Sequence, residues 1–335
     1  MTREPTQRNP RQFDGHVHDK ESSFDATIKP KRLVDAMKNN NVGFFFSTGH
    51  EVSPGFYNTK RYADRAGIGT YQSVEVPVWV EHKGKKYKVH LLLVDPTKKA
   101  ETEIGTELEK MKGQRVVDAL ASLHLLGEKF PKIEYDEKYV RPMINGGSIS
   151  KLRLAQMLFE NRHNRDYFHS KRIFTPDQLR EKHMLGDAPL TRYVFPAEKF
   201  ISIARNSGAF VGLAHPGIER QYIVRKGSQV DNNKFLPNDV IELIGDMGVD
   251  FFERFHPRHS KEASRRIGEA ALEADKPVTI GSDIHHAGQL YRLRFAPEEQ
   301  NIVRKSLAEH AKKGSAFAQK LLADMKDFGA AKKKE

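Results

Sequence analysis

The sequence predicts an α/β fold whose strands alternate with helices and deliver chemically active side chains to one shared mouth. Three observations predict it. Apolar runs of strand length alternate with segments of helical period. Histidines and acids fall within or just after those apolar runs, from His16 to His285. No apolar run approaches the roughly 20 residues that a membrane span needs.

Taken in order, residues 1–12 are polar, carry two prolines and read as a flexible basic arm. A short strand is expected to lead into Asp14. Pro30 opens a helix with Leu33, Val34 and Met37 on one face. Val42–Ser47 reads as a buried strand. Tyr71–Val80 and Tyr87–Val94 read as strands joined by a hairpin through Lys83-Gly-Lys-Lys. From about 101 to 195 the texture becomes helical and basic, as in Glu107–Leu126, Ser150–Asn161 and Thr175–Lys182, and reads as a helical insertion. Thr175 precedes Pro176 as a capping residue would. The alternation then returns: helix Pro196–Asn206, strand Ala209–Ala214, helix Asp239–Met247, strand Val249–Arg254, helix Lys261–Ala274 and strand Pro277–Ile280. Gln300–Leu322 closes as helix, and 323–335 reads as a basic tail.

Composition narrows the class. Over 335 residues, 38% are hydrophobic and 30% charged, which suits a globular chain with a core. Cysteine is absent, so disulfides and thiolate ligands are excluded. The first residues lack the apolar segment of a signal peptide, so a cytoplasmic location and no membrane partner are expected. The net charge of +12 suits a polyanionic ligand, because a positive field speeds encounter with phosphates. Oligomeric state is not readable from these features.

The chemistry lies in the spacing of histidines and acids. His16 and His18 are one residue apart, as are Asp283 and His285, and such pairs on a strand point to one side. One His-x-His pair is a weak sign; two, each tied to an expected strand, are much stronger. His215 ends the apolar run Phe210–Ala214 and read alone is a core histidine. Glu75 lies inside an apolar strand, where an unpaired carboxylate is costly. His50 follows Phe44-Phe-Phe-Ser-Thr and also suits a turn cap. His256-Pro-Arg-His259 offers His259 to the mouth or to a surface turn, and the basic stretch from Arg162 to Arg172 reads by default as a solvated face. Imidazole with carboxylate is the donor set of zinc, manganese and iron. Several such ions together suit hydrolysis of phosphate esters.

The order and setting of these motifs resemble the PHP (polymerase and histidinol phosphatase) family. Within it, they are most similar to the stand-alone phosphoesterases of nucleoside 3′,5′-bisphosphates and short 5′-phosphorylated oligonucleotides. The resemblance runs over about residues 13–290. It implies a distorted (β/α)7 barrel built from 13–100 and 196–322, with 101–195 inserted. It also implies a trinuclear site and a metal-activated hydroxide. The implied ligands are His16, His18, Glu75 and Asp283 for one metal; Glu75, His90 and His215 for a second; and Asp25, His50 and His285 for a third. His82 is a rival to His90, and Asp25 lies two residues farther from His18 than the pattern expects. Glu75, His215 and Asp283 are the implied catalytic set. Arg115, Lys151 and Arg153 are the implied phosphate-binding residues. Three divalent ions are expected, manganese first and iron or zinc as alternatives. The expected partner is a phosphorylated small molecule, nucleotide or short oligonucleotide. Departures from the family pattern are Gly49 where an aspartate is usual, Arg153 without the usual histidine, and His286 where a small residue is common. Two rivals follow: amide hydrolysis or deacetylation on the same metals, and a non-catalytic nucleic-acid-binding protein with a decayed site.

Overall fold

Seven apolar runs pair edge to edge into one strongly curved sheet. They are β1 (Gln12–His18), β2 (Val42–His50), β3 (Gly69–His82), β4 (Lys85–Val94), β5 (Phe210–Ala214), β8 (Phe251–Phe255) and β9 (Val278–Ile280), paired in the order β1-β2-β3-β4-β5-β8-β9. The computed structural model describes residues 11–23, 25–51, 53, 55–136, 151–184, 195–218, 221–225, 228–232 and 236–329. The described side chains exclude those of 111–112, 114–116, 118, 151–153, 181, 221–225, 228–232 and 327–329.

β1, β2 and β3 are parallel, as are β5, β8 and β9. The expected hairpin at Lys83–Lys86 is present, and it makes β4 run against both of its neighbours. β1 then meets the segment after β9: His18 N–H donates to Ile284 O at 3.0 Å and Asp283 N–H to His16 O at 2.9 Å. These contacts nearly close the sheet into a distorted seven-stranded barrel. Helices wrap its outer face.

Side chains alternate across a strand, so every second residue shares a face. Phe44, Phe46, Thr48 and His50 fall on one face of β2, and Tyr71, Ser73 and Glu75 on one face of β3. Val94, Leu92 and His90 do the same on β4, in reverse chain order. The result is layering: an apolar floor of Phe13, Phe46, Leu92, Phe251 and Ile280, then polar groups toward the mouth. The other face carries Val74, Val76, Val78, Leu91, Leu93, Val211 and Leu213. It is covered by helices Ala197–Asn206, Asn238–Asp246 and Lys261–Glu273 through Phe200, Ile201, Ile241, Ile244 and Ile267. Helix Pro30–Asn39 buries Leu33, Val34 and Met37 as its spacing predicts.

Two closing helices, Pro297–Lys312 and Ala316–Gly329, seal the floor. Phe317 is buried there and stacks on Phe251 with ring centroids 4.5 Å apart. The last helix therefore runs past the expected end at Leu322, and Tyr71 Oη donates to Asp324 within it. At the other terminus, Gln12 already belongs to β1 and Arg11 Nη1 donates to Gly67 O at 2.7 Å, so the barrel takes in the end of the expected arm. Residues 1–10 lie outside the described set.

Between β4 and helix Ala197–Asn206 lie helices Lys98–Lys129, Lys151–Glu160, Arg162–Ser170 and Pro176–Leu179, followed by a π-type turn at Arg180–Met184. Leu123, Leu126, Phe130, Leu154, Leu158, Phe159 and Phe168 form a cluster of their own. The cap at Thr175 is present, its hydroxyl accepting from Gln178 N–H at 3.2 Å. A two-stranded hairpin, β6 (Gln221–Arg225) with β7 (Ser228–Asn232), was not expected from the sequence. Among the described residues no helix is long and apolar enough to cross a membrane.

Removing the floor ring is expected to be costly. Phe317→Ala should lower unfolding free energy by about 3–5 kcal/mol, because a buried aromatic is lost and its cavity remains. Urea unfolding followed by circular dichroism checks this, and a loss below about 1 kcal/mol would mean that the floor repacks.

Candidate metal centre

The mouth gathers side chains from four strands and from the loops after β1, β5 and β9. His16 and His18 are fully buried within β1, rather than beyond its end. His50 is the last residue of β2, Glu75 sits in the middle of β3, and His90 lies within the reversed β4. His215 follows β5, while Asp283 and His285 follow β9. His215 and Asp283 have positive φ, 26° and 49°, and such strained turns recur at functional sites. Each aims a side chain inward where a regular strand would have carried on.

Glu75 is the hub. Its Oε1 lies 2.9 Å from His215 Nε2 and 3.4 Å from His90 Nδ1. Its Oε2 lies 3.2 Å from His50 Nδ1, 3.4 Å from His16 Nε2 and 3.5 Å from His18 Nε2. Asp283 Oδ1 is 3.4 Å from both His18 Nε2 and His285 Nδ1. Asp25 faces His50 Nε2 at 3.3 Å and His285 Nε2 at 3.5 Å. All nine residues expected as ligands thus converge. His82 does not join them; its Nε2 lies 2.9 Å from Asp239 Oδ2 on the outer surface.

Among the described residues, three groups offer ligand atoms mutually within 4.8 Å: His16, His18 and Glu75; Glu75, His90 and His215; and His18, His50 and His285. The donor chemistry fits divalent cations. His16 Nδ1 must donate to Glu253 Oε2 at 2.9 Å, because a carboxylate only accepts. That turns His16 Nε2 toward His18 Nε2, 2.9 Å away and equally buried. His18 Nδ1 has no hydrogen-bond partner. Two buried nitrogens facing each other among carboxylates are what a cation resolves.

Charge is strongly displaced here. Burial works against a charge on His16, yet the Glu253 and Glu75 carboxylates outweigh it and raise its pKa to about 10. His50 goes the same way, to about 9, with Glu75 and Asp25 overcoming burial. His18 goes the other way, to about 3, because burial and the neighbouring His285 both disfavour its charge. Glu75 and Asp283 are held well below the usual carboxylate range despite burial, Glu75 by His50 and His90 and Asp283 by His18 and His256.

No protein-family model matches the chain. It is 24% identical over 273 residues to the phosphoribosyl 1,2-cyclic phosphate 1,2-diphosphodiesterase of Eggerthella lenta, spanning 81% of this chain and 93% of that protein. A structure from Bifidobacterium adolescentis, assigned as a metal-dependent phosphoesterase, superposes with a TM-score of 0.64 at 18% identity, over 90% of this chain and 97% of that one. The chain folds as a PHP-type barrel. An amidohydrolase from Chromobacterium violaceum shares this PHP-type barrel at a TM-score of 0.61 and 19% identity, over 83% of this chain and 89% of that one.

Support for the donor cluster comes from residues outside the expected ligand set. Asp14 Oδ1 accepts from Ser282 N–H at 3.0 Å and His16 N–H at 3.2 Å, tying β1 to the turn after β9. Gly281 makes room for this: a Cβ there would sit 2.6 Å from His16 Cβ. Asp19 is buried and accepts from Ser22 N–H at 3.1 Å and Thr59 Oγ1 at 2.9 Å, which pins the loop leading to Asp25. Glu253 and His256 from the end of β8 also face the cluster. A signal for Glu253 was present, since it lies between Phe251 and Phe255 on the inward face of β8. His259 turns away from the mouth role considered for it, with both ring nitrogens bonded to main chain. Arg115 falls in helix Lys98–Lys129, and Lys151 and Arg153 in helix Lys151–Glu160, but their side chains lie outside the described set.

Metal uptake should release protons. Raised pKa values mean that His16 and His50 hold protons at neutral pH and lose them only as pH climbs toward about 10 and about 9. A cation must displace those protons, so apparent affinity should rise with pH across that window. Calorimetric titration of metal-free protein in two buffers of different ionisation heat measures the release. Uptake without proton release would contradict this charge arrangement.

Proposed function

We propose that this protein is a metal-dependent hydrolase of phosphate esters, acting on nucleotides, short oligonucleotides or related sugar phosphates. The observation that carries the reading is the division of Glu75, one oxygen toward His90 and His215 and the other toward His16, His18 and His50. A carboxylate so placed suits two adjacent cations. Divalent ions at such positions supply the acidity that activates water and the charge that neutralises phosphate oxygens.

Each residue then has a task. His16, His18, Glu75 and Asp283 would hold one cation, Glu75, His90 and His215 a second, and Asp25, His50 and His285 a third. Manganese comes first, with iron or zinc as alternatives, since this donor set serves all three. Glu75, His215 and Asp283 line the place where water and phosphorus would meet. Side-chain exposure rises from 0% at His16 and His18 through 21% at His50 and 24% at His90 to 41% at Asp25, so substrate would approach from the side of those three. Arg115, Lys151 and Arg153 would take the outer phosphate oxygens, arginine in paired hydrogen bonds and lysine as a point charge.

The named activity of the Eggerthella protein, a cyclic-phosphate diesterase, supports phosphorus over carbon as the atom attacked. The charge of +12 supports an anionic substrate in the same way. The deciding experiment incubates manganese-loaded protein with a 5′-phosphorylated RNA, a nucleoside 3′,5′-bisphosphate, a ribosyl cyclic phosphate and a simple amide, followed by product analysis. Cleavage of any phosphate ester is expected. Cleavage of the amide alone would transfer the site to the amidohydrolase reading.

Variants sharpen the test. His16→Ala and Asp283→Ala should reduce turnover below detection while the circular dichroism spectrum stays that of the parent; retained turnover would remove both from the site. Arg153→Ala should raise KM about tenfold, the loss of one phosphate contact, with kcat little changed. An unchanged KM would take Arg153 out of phosphate binding.

A further inference from the structure

Strand β8 and the turn after it carry two buried side chains that the ligand assignments above leave without a task. Glu253 is one, and its contact with His16 has been described. His256, just past the strand, is the other, and its surroundings are more specific. The main-chain N–H of Arg258 donates to His256 Nδ1 at 3.1 Å. A neutral imidazole that accepts at Nδ1 carries its proton on Nε2. The His256 side chain is fully buried, and Nε2 has no hydrogen-bond partner. What it faces is Asp283 Oδ2 at 3.5 Å, one small side-chain rotation from a hydrogen bond.

The other oxygen of Asp283 faces the opposite way. Oδ1 looks onto His18 Nε2 and His285 Nδ1 at 3.4 Å each, and onto His16 Nε2 at 3.9 Å. We propose that His256 is a positioning residue for Asp283: its Nε2–H claims Oδ2 and leaves Oδ1 as the single oxygen offered to a cation. This inference rests on the metal-dependent reading of the site. Glu253 treats His16 in parallel fashion, taking Nδ1–H and leaving Nε2 for the cluster. One strand therefore orients two donors of the same group, as outer partners of metal ligands do.

An ordinary core histidine would look different, and this turn supplies the comparison. His259 bonds Arg254 O through Nδ1 at 2.8 Å and accepts from Gly217 N–H at Nε2 at 3.2 Å, so both ring nitrogens are satisfied. His256 is satisfied on one side only, and its open side points at a donor carboxylate. A buried N–H without a partner is unfavourable, which makes the Asp283 contact the natural outlet.

The test compares His256→Phe with His256→Gln. Phenylalanine fills the space and removes the donor, while the glutamine amide restores an N–H that can reach Oδ2. Manganese affinity and stoichiometry are read by competition with a chromophoric chelator, and folding by thermal melting. His256→Phe should weaken one class of bound manganese about 10–100-fold and leave the rest as in the parent, and His256→Gln should recover affinity close to the parent. Parent-like binding by His256→Phe would overturn the inference, as would a His256→Gln protein no better than His256→Phe. Should His256→Phe not fold, nitrogen-15 spectra of the zinc-loaded parent decide instead. An Nε2–H tautomer at His256 is expected, and an Nδ1–H tautomer overturns the role. Failure of the parent itself to bind manganese would overturn both this inference and the metal-dependent reading, whereas an unaffected His256→Phe overturns this one alone.

Discussion

The constraint on which the site depends is the burial of the Glu75 carboxylate at the heart of the barrel. An ionised carboxylate moved from water into protein loses several kcal/mol of solvation unless partners replace the water. Here the replacement is five imidazoles reaching both oxygens. Those rings are themselves buried or nearly so, and their charges are pushed in opposite directions at neighbouring positions, up at His16 and down at His18. Protons alone cannot satisfy so many inward-facing nitrogens. The cluster makes chemical sense as a cage for cations, and the strained turns at His215 and Asp283 belong to the cost of building it.

Strand geometry meets much of this demand, and the turns after β5 and β9 the rest. Alternation puts the donors of β2, β3 and β4 directly above the aromatic and aliphatic residues of the floor. The reversal of β4 leaves that layering intact, because period-two alternation does not depend on chain direction. It does change which part of the strand reaches the mouth: His90, opposite Pro77 and Ala214, lies mid-strand in β4 and precedes the floor residue Leu92 in the chain. Asp14, Gly281 and Ser282 fasten the seam where the first and last strands meet, so that residues from both ends of the chain share one centre.

Much of this was legible in the sequence. His16 with His18, and Asp283 with His285, announce themselves because the same spacing recurs beside two apolar runs. His50 and His215 could be placed because each ends such a run. Glu253 is not legible this way, since a charged residue among phenylalanines reads as ordinary alternation unless the inward face is known. In the His256-Pro-Arg-His259 turn, the sequence offers His259 to the mouth, but the turn sends His256 inward and ties His259 to main chain; side-chain direction in a tight turn is not encoded by spacing. The β6–β7 hairpin escaped because its apolar run, Tyr222-Ile-Val224, is only three residues long and β7 is mostly polar. Element ends such as Gly329 shifted because tertiary packing extends a helix past the point where its own periodicity weakens.

The sealed floor has a consequence for traffic. Phe251 and Phe317 stack beneath the donors, and among the described donors it is Asp25, His90 and His50 that are most exposed, above that floor. A molecule that reaches the donors cannot pass on through that floor and has to leave on the side it came from. A molecule that lingers there keeps the next one from the donors, so departure and arrival are coupled at this site.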